Sequence, residues 1–185
     1  YKVDAADLNG DGSIDLVFAN TDGSDKGTPA STRPQQVYFN DGFGTFTEAT
    51  DDVYGAGVEY TGRTIKLRDI DEDGDNDIIL GTVWITQSQL LLNDGIGNFT
   101  NVTATNLPAR PANVGDLEVG DVDQDGALDI VLSNWGEDET QDDDVNSNSA
   151  GGTTLLWMQT GPGTAMFSDA TDANMPPDEL RMSWD

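Results

Sequence analysis

The chain has 185 residues, 35 acidic against 8 basic side chains and a formal charge of −27, and it contains no cysteine and no histidine. That balance repels nucleic acid and anionic membrane surfaces and attracts cations. Disulfides, thiolate metal sites and cysteine nucleophiles are excluded, and no apolar run approaches the roughly 20 residues of a membrane-spanning helix.

In chain order, Tyr1-Lys2-Val3-Asp4 reads as a strand and not as a signal peptide. Next comes an acidic loop, Asp7-Leu8-Asn9-Gly10-Asp11-Gly12-Ser13-Ile14-Asp15, running into apolar Leu16-Val17-Phe18. The same pattern, D-x-[DN]-x-D-G-x-x-D, returns at Asp69–Asp77 before Ile78-Ile79-Leu80 and at Asp121–Asp129 before Ile130-Val131-Leu132. Oxygen side chains at positions 1, 3, 5 and 9, with glycine at the tight sixth position, suit a hard cation, and Ca2+ is the natural occupant.

A second motif keeps step with the first. Val37-Tyr38-Phe39-Asn40-Asp41-Gly42 and Leu90-Leu91-Leu92-Asn93-Asp94-Gly95 are each followed by a glycine-containing turn and a Phe-Thr segment ending in Thr50 or Thr103. Asn-Asp-Gly between β-rich runs signals a hairpin. The third copy, Leu155–Thr171, has Gln159-Thr160-Gly161-Pro162 in place of that turn, so its hairpin geometry is open.

The acidic loops are spaced 62 and 52 residues apart, a period that points to propeller blades. Each period predicts four strands. Strand A precedes the acidic loop (Thr64–Arg68, Asp116–Gly120), B follows it, C leads into the turn and D is the Phe-Thr segment. Strand B is apolar on both faces, as expected between neighbouring sheets, and no helical periodicity of useful length is present. The expected fold is all-β: three four-stranded antiparallel blades, spanning approximately 1–62, 63–114 and 115–185.

The acidic loop followed by N-D-G-x-G-x-F-T resembles the FG-GAP (VCBS-type) repeat, which builds calcium-binding β-propellers such as the integrin α-subunit head. The resemblance covers nearly the whole chain. It implies three Ca2+ ions, each held by side chains at positions 1, 3, 5 and 9 and a backbone carbonyl at position 7. Mapped onto this chain, the sets are Asp7, Asn9, Asp11 and Asp15 with the Ser13 carbonyl; Asp69, Asp71, Asp73 and Asp77 with the Asp75 carbonyl; and Asp121, Asp123, Asp125 and Asp129 with the Ala127 carbonyl. An EF-hand would need a glutamate at position 12, where this chain has Phe18, Leu80 and Leu132. The expectation is that the ions are structural staples.

Three blades fall short of the four to eight that close a propeller. The chain is therefore expected to belong to a larger six- to eight-bladed ring, with Met182 and Trp184 beginning a fourth repeat; the alternative is self-assembly of several copies through open blade faces.

Connections in an antiparallel blade alternate between its two ends, so the acidic loops and Asn-Asp-Gly turns share one face. The B–C loops (20–36, 82–88 and 134–153) lie on the other, and variable loops on a rigid scaffold are where recognition usually sits. Candidate contacts there are Trp84, Trp135, Tyr54, Tyr60, Arg33, Arg63 and Arg110, although packing between blades is the simpler expectation for any one aromatic. The acidic stretches Glu137–Glu139 and Asp142–Asp144 read as solvated loop.

Without histidine or cysteine the usual nucleophile–base pairs are unavailable, and most clustered aspartates belong to the metal loops. The expectation is a non-enzymatic recognition or adhesion module, extracellular or on a cell surface, with a protein or carbohydrate ligand. A lectin or polysaccharide-lyase propeller and a structural subunit of an extracellular assembly are the alternatives.

Overall fold

The computed structural model describes residues 2–20, 35–58, 60–135 and 152–176. Three four-stranded sheets, each in simple up-and-down order, make up the described chain. The first contains β1 (Lys2–Ala6), β2 (Asp15–Ala19), β3 (Gln36–Asn40) and β4 (Phe46–Glu48). The second contains β5 (Gly62–Arg68), β6 (Asp77–Thr82), β7 (Gln89–Asn93) and β8 (Phe99–Asn101). The third contains β9 (Val114–Gly120), β10 (Asp129–Asn134), β11 (Leu155–Gln159) and β12 (Phe167–Asp169). All pairings are antiparallel, and β5 packs between β1 and β9, so the first strands of successive sheets lie side by side as in propeller blades.

The core lies between the blades. One cluster joins Leu8, Val17 and Val37 of the first blade to Ile65, Leu67, Ile78 and Leu80 of the second. A second joins Ile70, Ile79 and Leu90 to Leu117, Ile130, Leu132 and Trp157 of the third. Strand β6 thus sends Ile78 and Leu80 to one side and Ile79 to the other, which is why it is apolar on both faces. By register, Val3 takes the place of Ile65 and Leu117, yet it is 53% exposed on the outer side of the first blade.

Two expectations need correction. Strands β5 and β9 begin two residues earlier than predicted, at Gly62 and Val114, because each pairing carries a register shift that admits one extra residue. One-turn helices also follow each fourth strand: α1 (Thr50–Tyr54), α2 (Thr103–Asn106) and α3 (Thr171–Asn174). They are too short to leave a 3.6-residue pattern in the sequence. Each opens on a buried threonine whose Oγ1 accepts a backbone N–H of the third strand: Val37 for Thr50, Leu90 for Thr103 and Leu156 for Thr171. The recurring threonine therefore pins the turn to its own sheet.

Adjacent blades are also joined by polar ties. Asn93, at the end of β7, donates from Nδ2 to the Leu8 carbonyl of the preceding blade (2.9 Å) and to the Asn76 carbonyl of its own (3.1 Å). Gln159 does the same with Ile70 and Leu128, at 3.3 and 3.0 Å. Replacing Asn93 by alanine strands two carbonyls, one of them in the core, and is expected to cost about 1–3 kcal/mol in urea unfolding. A cost within error of zero would show that the tie is ornamental.

Candidate metal loops and ligand face

The three acidic loops are the β1–β2, β5–β6 and β9–β10 connections. Their shape follows from two left-handed residues. Position 6 is glycine in every loop, with φ of 85°, 104° and 94° at Gly12, Gly74 and Gly126, and position 4 is also left-handed at Gly10, Glu72 and Gln124. Only the first loop needs glycine at position 4 for space as well, since a Cβ on Gly10 would come 2.5 Å from the Gly95 carbonyl oxygen.

The ninth-position aspartates are buried, and each accepts two backbone N–H groups from different elements. Asp15 takes those of Leu8 and Asn40, both at 2.8 Å. Asp77 takes those of Ile70 and Asn93, at 2.8 and 2.9 Å, and Asp129 those of Val122 and Gln159, both at 3.0 Å. Burial pushes the Asp77 carboxyl up to about 7, with these N–H bonds pulling against it and the charges of Asp71 and Asp73 adding to the rise. Asp15 is raised for the same leading reason.

The remaining side chains differ between loops. In the second, Asp69, Asp71 and Asp77 each bring a carboxylate oxygen within 4.8 Å of the others. Asp69 Oδ1 and Asp71 Oδ1 are buried there without a hydrogen-bond partner, and burial followed by the Asp73 charge raises the Asp71 carboxyl. Burying unpartnered carboxylate oxygens is unfavourable unless a cation compensates, so this donor set fits a hard divalent ion. The third loop gathers Asp121, Asp123 and Asp129 in the same way. Among the described residues, the first loop gathers no such carboxylate trio, its third position being Asn9; Asp7 accepts the N–H groups of Gly10 and Gly12, as Asp121 accepts those of Asp125 and Gly126. Asp73 and Asp125 lie outside the two trios and accept the N–H groups of Asp75 and Ala127. Asp11 likewise accepts from Ser13, which lowers its carboxyl.

Loops at the opposite ends of the strands carry the aromatic and cationic candidates. Trp84 is 44% exposed and Trp135 39%, and the Arg63 guanidinium lies 3.8 Å from the centroid of the Trp135 ring. Trp84 and Ile85 are consecutive left-handed residues, φ 62° and 52°, a conformation costing on the order of 1–3 kcal/mol each for residues that are not glycine. Other candidates have structural partners: Tyr60 packs edge-on against buried Tyr54 and its hydroxyl accepts from Asn101, while Arg110 pairs with Asp169 of the next blade. Arg33, most of the first and third B–C loops including the stretches at 137–139 and 142–144, and Met182 with Trp184 fall outside the described residues.

Sequence comparison supplies the lineage. The profile of the FG-GAP-like repeat matches residues 7–80 and again 69–132, two overlapping spans that cover more than half of the chain. The chain belongs to the FG-GAP-like repeat family. No curated protein matches it. Eight chains of solved structures do, among them that of a study titled as the structural basis of specific recognition of non-reducing terminal N-acetylglucosamine by an Agrocybe aegerita lectin. The identity is 21% and the TM-score 0.48, over 93% of this chain and 38% of the lectin chain, so the FG-GAP chain spans under two fifths of that protein's length.

Two features of this FG-GAP repeat are not evident from the motif alone. The motif points to the ninth aspartate as a metal ligand; what the structure shows is that it closes the loop onto strand C. The motif places the residue at the end of strand C in a turn, whereas the amides of Asn93 and Gln159 tie adjacent blades and that of Asn40 bonds to Ile14 within its own. The available signal was an amide side chain in all three copies (Asn40, Asn93 and Gln159), surviving even where the Asn-Asp-Gly turn is lost.

An unfolded aspartate titrates near 3.8 and folded Asp77 near 7, so ion-free folded protein holds this proton across the interval. The stability it contributes is fully present below about pH 4 and is lost as pH rises through about 7. NMR titration of the Asp77 carboxyl carbon in chelator is expected to give a midpoint near 7. Saturating Ca2+, which binds the ionised form, is expected to move that midpoint down.

Proposed function

We propose that this chain is a calcium-stabilised recognition module and not an enzyme, with Ca2+ in the acidic loops and a protein or glycan ligand on the opposite face. The observation that carries the reading is the pair of buried, unpartnered carboxylate oxygens on Asp69 and Asp71, beside the buried Asp77 and at the opposite strand ends from the exposed tryptophans. Asp69, Asp71, Asp73 and Asp77 with the Asp75 carbonyl would hold one ion, and Asp121, Asp123, Asp125 and Asp129 with the Ala127 carbonyl another. Asp7, Asn9, Asp11 and Asp15 with the Ser13 carbonyl would form a third site, weaker because it has one carboxylate fewer. Bound Ca2+ supplies charge neutralisation. The aspartates supply a closed loop that sets where strand B begins.

Affinities on the order of 10⁻⁴ to 10⁻³ M would match extracellular calcium, which fits secretion or display at a cell surface. No helix among the described residues is long and apolar enough to cross a membrane. Exposed Val3 on the outer side of the first blade, where Ile65 and Leu117 are covered in the next two, supports a further blade packing there, either from the same polypeptide or from a second copy.

Calorimetric titration with Ca2+ is expected to show saturable binding, and chelation is expected to lower the melting temperature by several degrees. Asp71→Asn, which gives the second loop the donor set of the first, should weaken its site and shrink the calcium-dependent shift. An unchanged melting temperature in chelator would overturn the structural role of the ion.

A further inference from the structure

The second and third blades meet at matched irregularities. In β5, Gly62 pairs with Thr82 and Thr64 with Gly81, which leaves Arg63 as the extra residue. In β9, Val114 pairs with Asn134 and Asp116 with Ser133, which leaves Gly115. Such bulges re-aim the side chain they carry. Arg63 is thereby turned onto the face of Trp135, and Gly115 makes room for the indole: a Cβ at 115 would lie 2.5 Å from Trp135 Nε1 and 3.0 Å from Ser133 Oγ.

Asn113 fastens the loops on either side. Its carbonyl accepts the Trp135 N–H at 2.9 Å, and its Oδ1 accepts the Ile85 N–H at 3.0 Å. The strained pair Trp84–Ile85 and the Arg63–Trp135 stack are thus held around one residue, with Trp84 presenting an exposed ring.

Arg63 is unusual in so acidic a chain. Among the described residues, Lys2, Lys66 and Arg110 each pair with a carboxylate and Arg68 donates to a carbonyl, but no hydrogen bond or ion pair engages the Arg63 guanidinium. Its Nε is buried without a partner. Burial lowers its pKa, while the charge of Asp116 works the other way. A planar array of N–H donors fixed on one indole, at a blade end whose neighbouring loop carries the exposed Trp84 beside Ile85, asks for a ligand with oxygen acceptors and a flat apolar face. A sugar ring offers both. The net charge of −27 disfavours a polyanion and leaves neutral sugars unopposed.

We propose that Arg63, Trp135 and Trp84 form a subsite for a neutral sugar residue, whose ring stacks on Trp84 while Arg63 N–H groups donate to its hydroxyl or carbonyl oxygens. Trp135 is the positioning residue for Arg63. This assignment rests on the recognition reading above and narrows it to one ligand class and one set of residues.

The test is an array of neutral and acidic oligosaccharides probed with the calcium-loaded chain, followed by titration of a neutral binder against variants. The expected result is binding of neutral glycans with little change between about 50 and 300 mM salt. Arg63→Ala and Trp84→Ala should each weaken it at least tenfold at unchanged melting temperature, and Arg63→Lys should restore part of the loss. Full affinity in Arg63→Ala and Trp84→Ala would overturn the subsite while leaving glycan recognition in place. Binding confined to acidic glycans with steep salt dependence would overturn the neutral class. An empty array together with selection of a specific peptide from a displayed library would overturn the sugar assignment and keep the recognition reading. An empty array and no selected peptide would overturn both.

Discussion

A buried aspartate carboxylate that accepts two backbone N–H groups recurs in all three blades, and the geometry on either side depends on it. One oxygen of Asp15, Asp77 or Asp129 receives the second residue of the acidic loop, and the other receives the last residue of strand C. The carboxylate therefore fixes the start of strand B relative to its neighbours on both sides. Charge-assisted bonds of this kind contribute about 1.5–3 kcal/mol each, set against the unfavourable burial of a charge. For Asp77 burial wins, as the rise of its carboxyl to about 7 shows. A cation at the mouth of the loop would tilt that balance back.

Blade packing is linked to the same groups. The carbonyl of the loop's second residue, whose N–H the aspartate holds, accepts the amide of Asn93 or Gln159 from the following blade. The side chains of Leu8 and Ile70 meanwhile enter the interblade core. One residue thus joins loop closure to blade docking, and whatever steadies the loop steadies the junction.

Much of this was legible in the sequence for a physical reason: a loop built from Asp, Asn and Gly at fixed offsets has few alternative conformations, and the β-branched and aromatic runs beside it have period two or none. Three sheets, their acidic loops and the first two hairpins followed directly, while the third hairpin, open in the sequence, pairs antiparallel like the others. The bulges at Arg63 and Gly115 were not legible, because an extra residue in a strand shows only in pairing register. Nor was the contact of Arg63 with Trp135, which lie 72 positions apart and meet only once blades two and three are packed. Gln159 departs from the motif, yet its longer side chain reaches the Ile70 and Leu128 carbonyls, the counterparts of the Leu8 and Asn76 carbonyls that Asn93 reaches.

The most direct measurement of the central claim is native-state hydrogen exchange at six amides: Leu8, Asn40, Ile70, Asn93, Val122 and Gln159. If the ninth-position carboxylates are the keystones, these amides are protected to the level of the strand cores, and within a blade the loop amide and the strand-C amide open together. Exchange of Leu8, Ile70 and Val122 at the rate of exposed loop amides, with Asn40, Asn93 and Gln159 still protected, would contradict it.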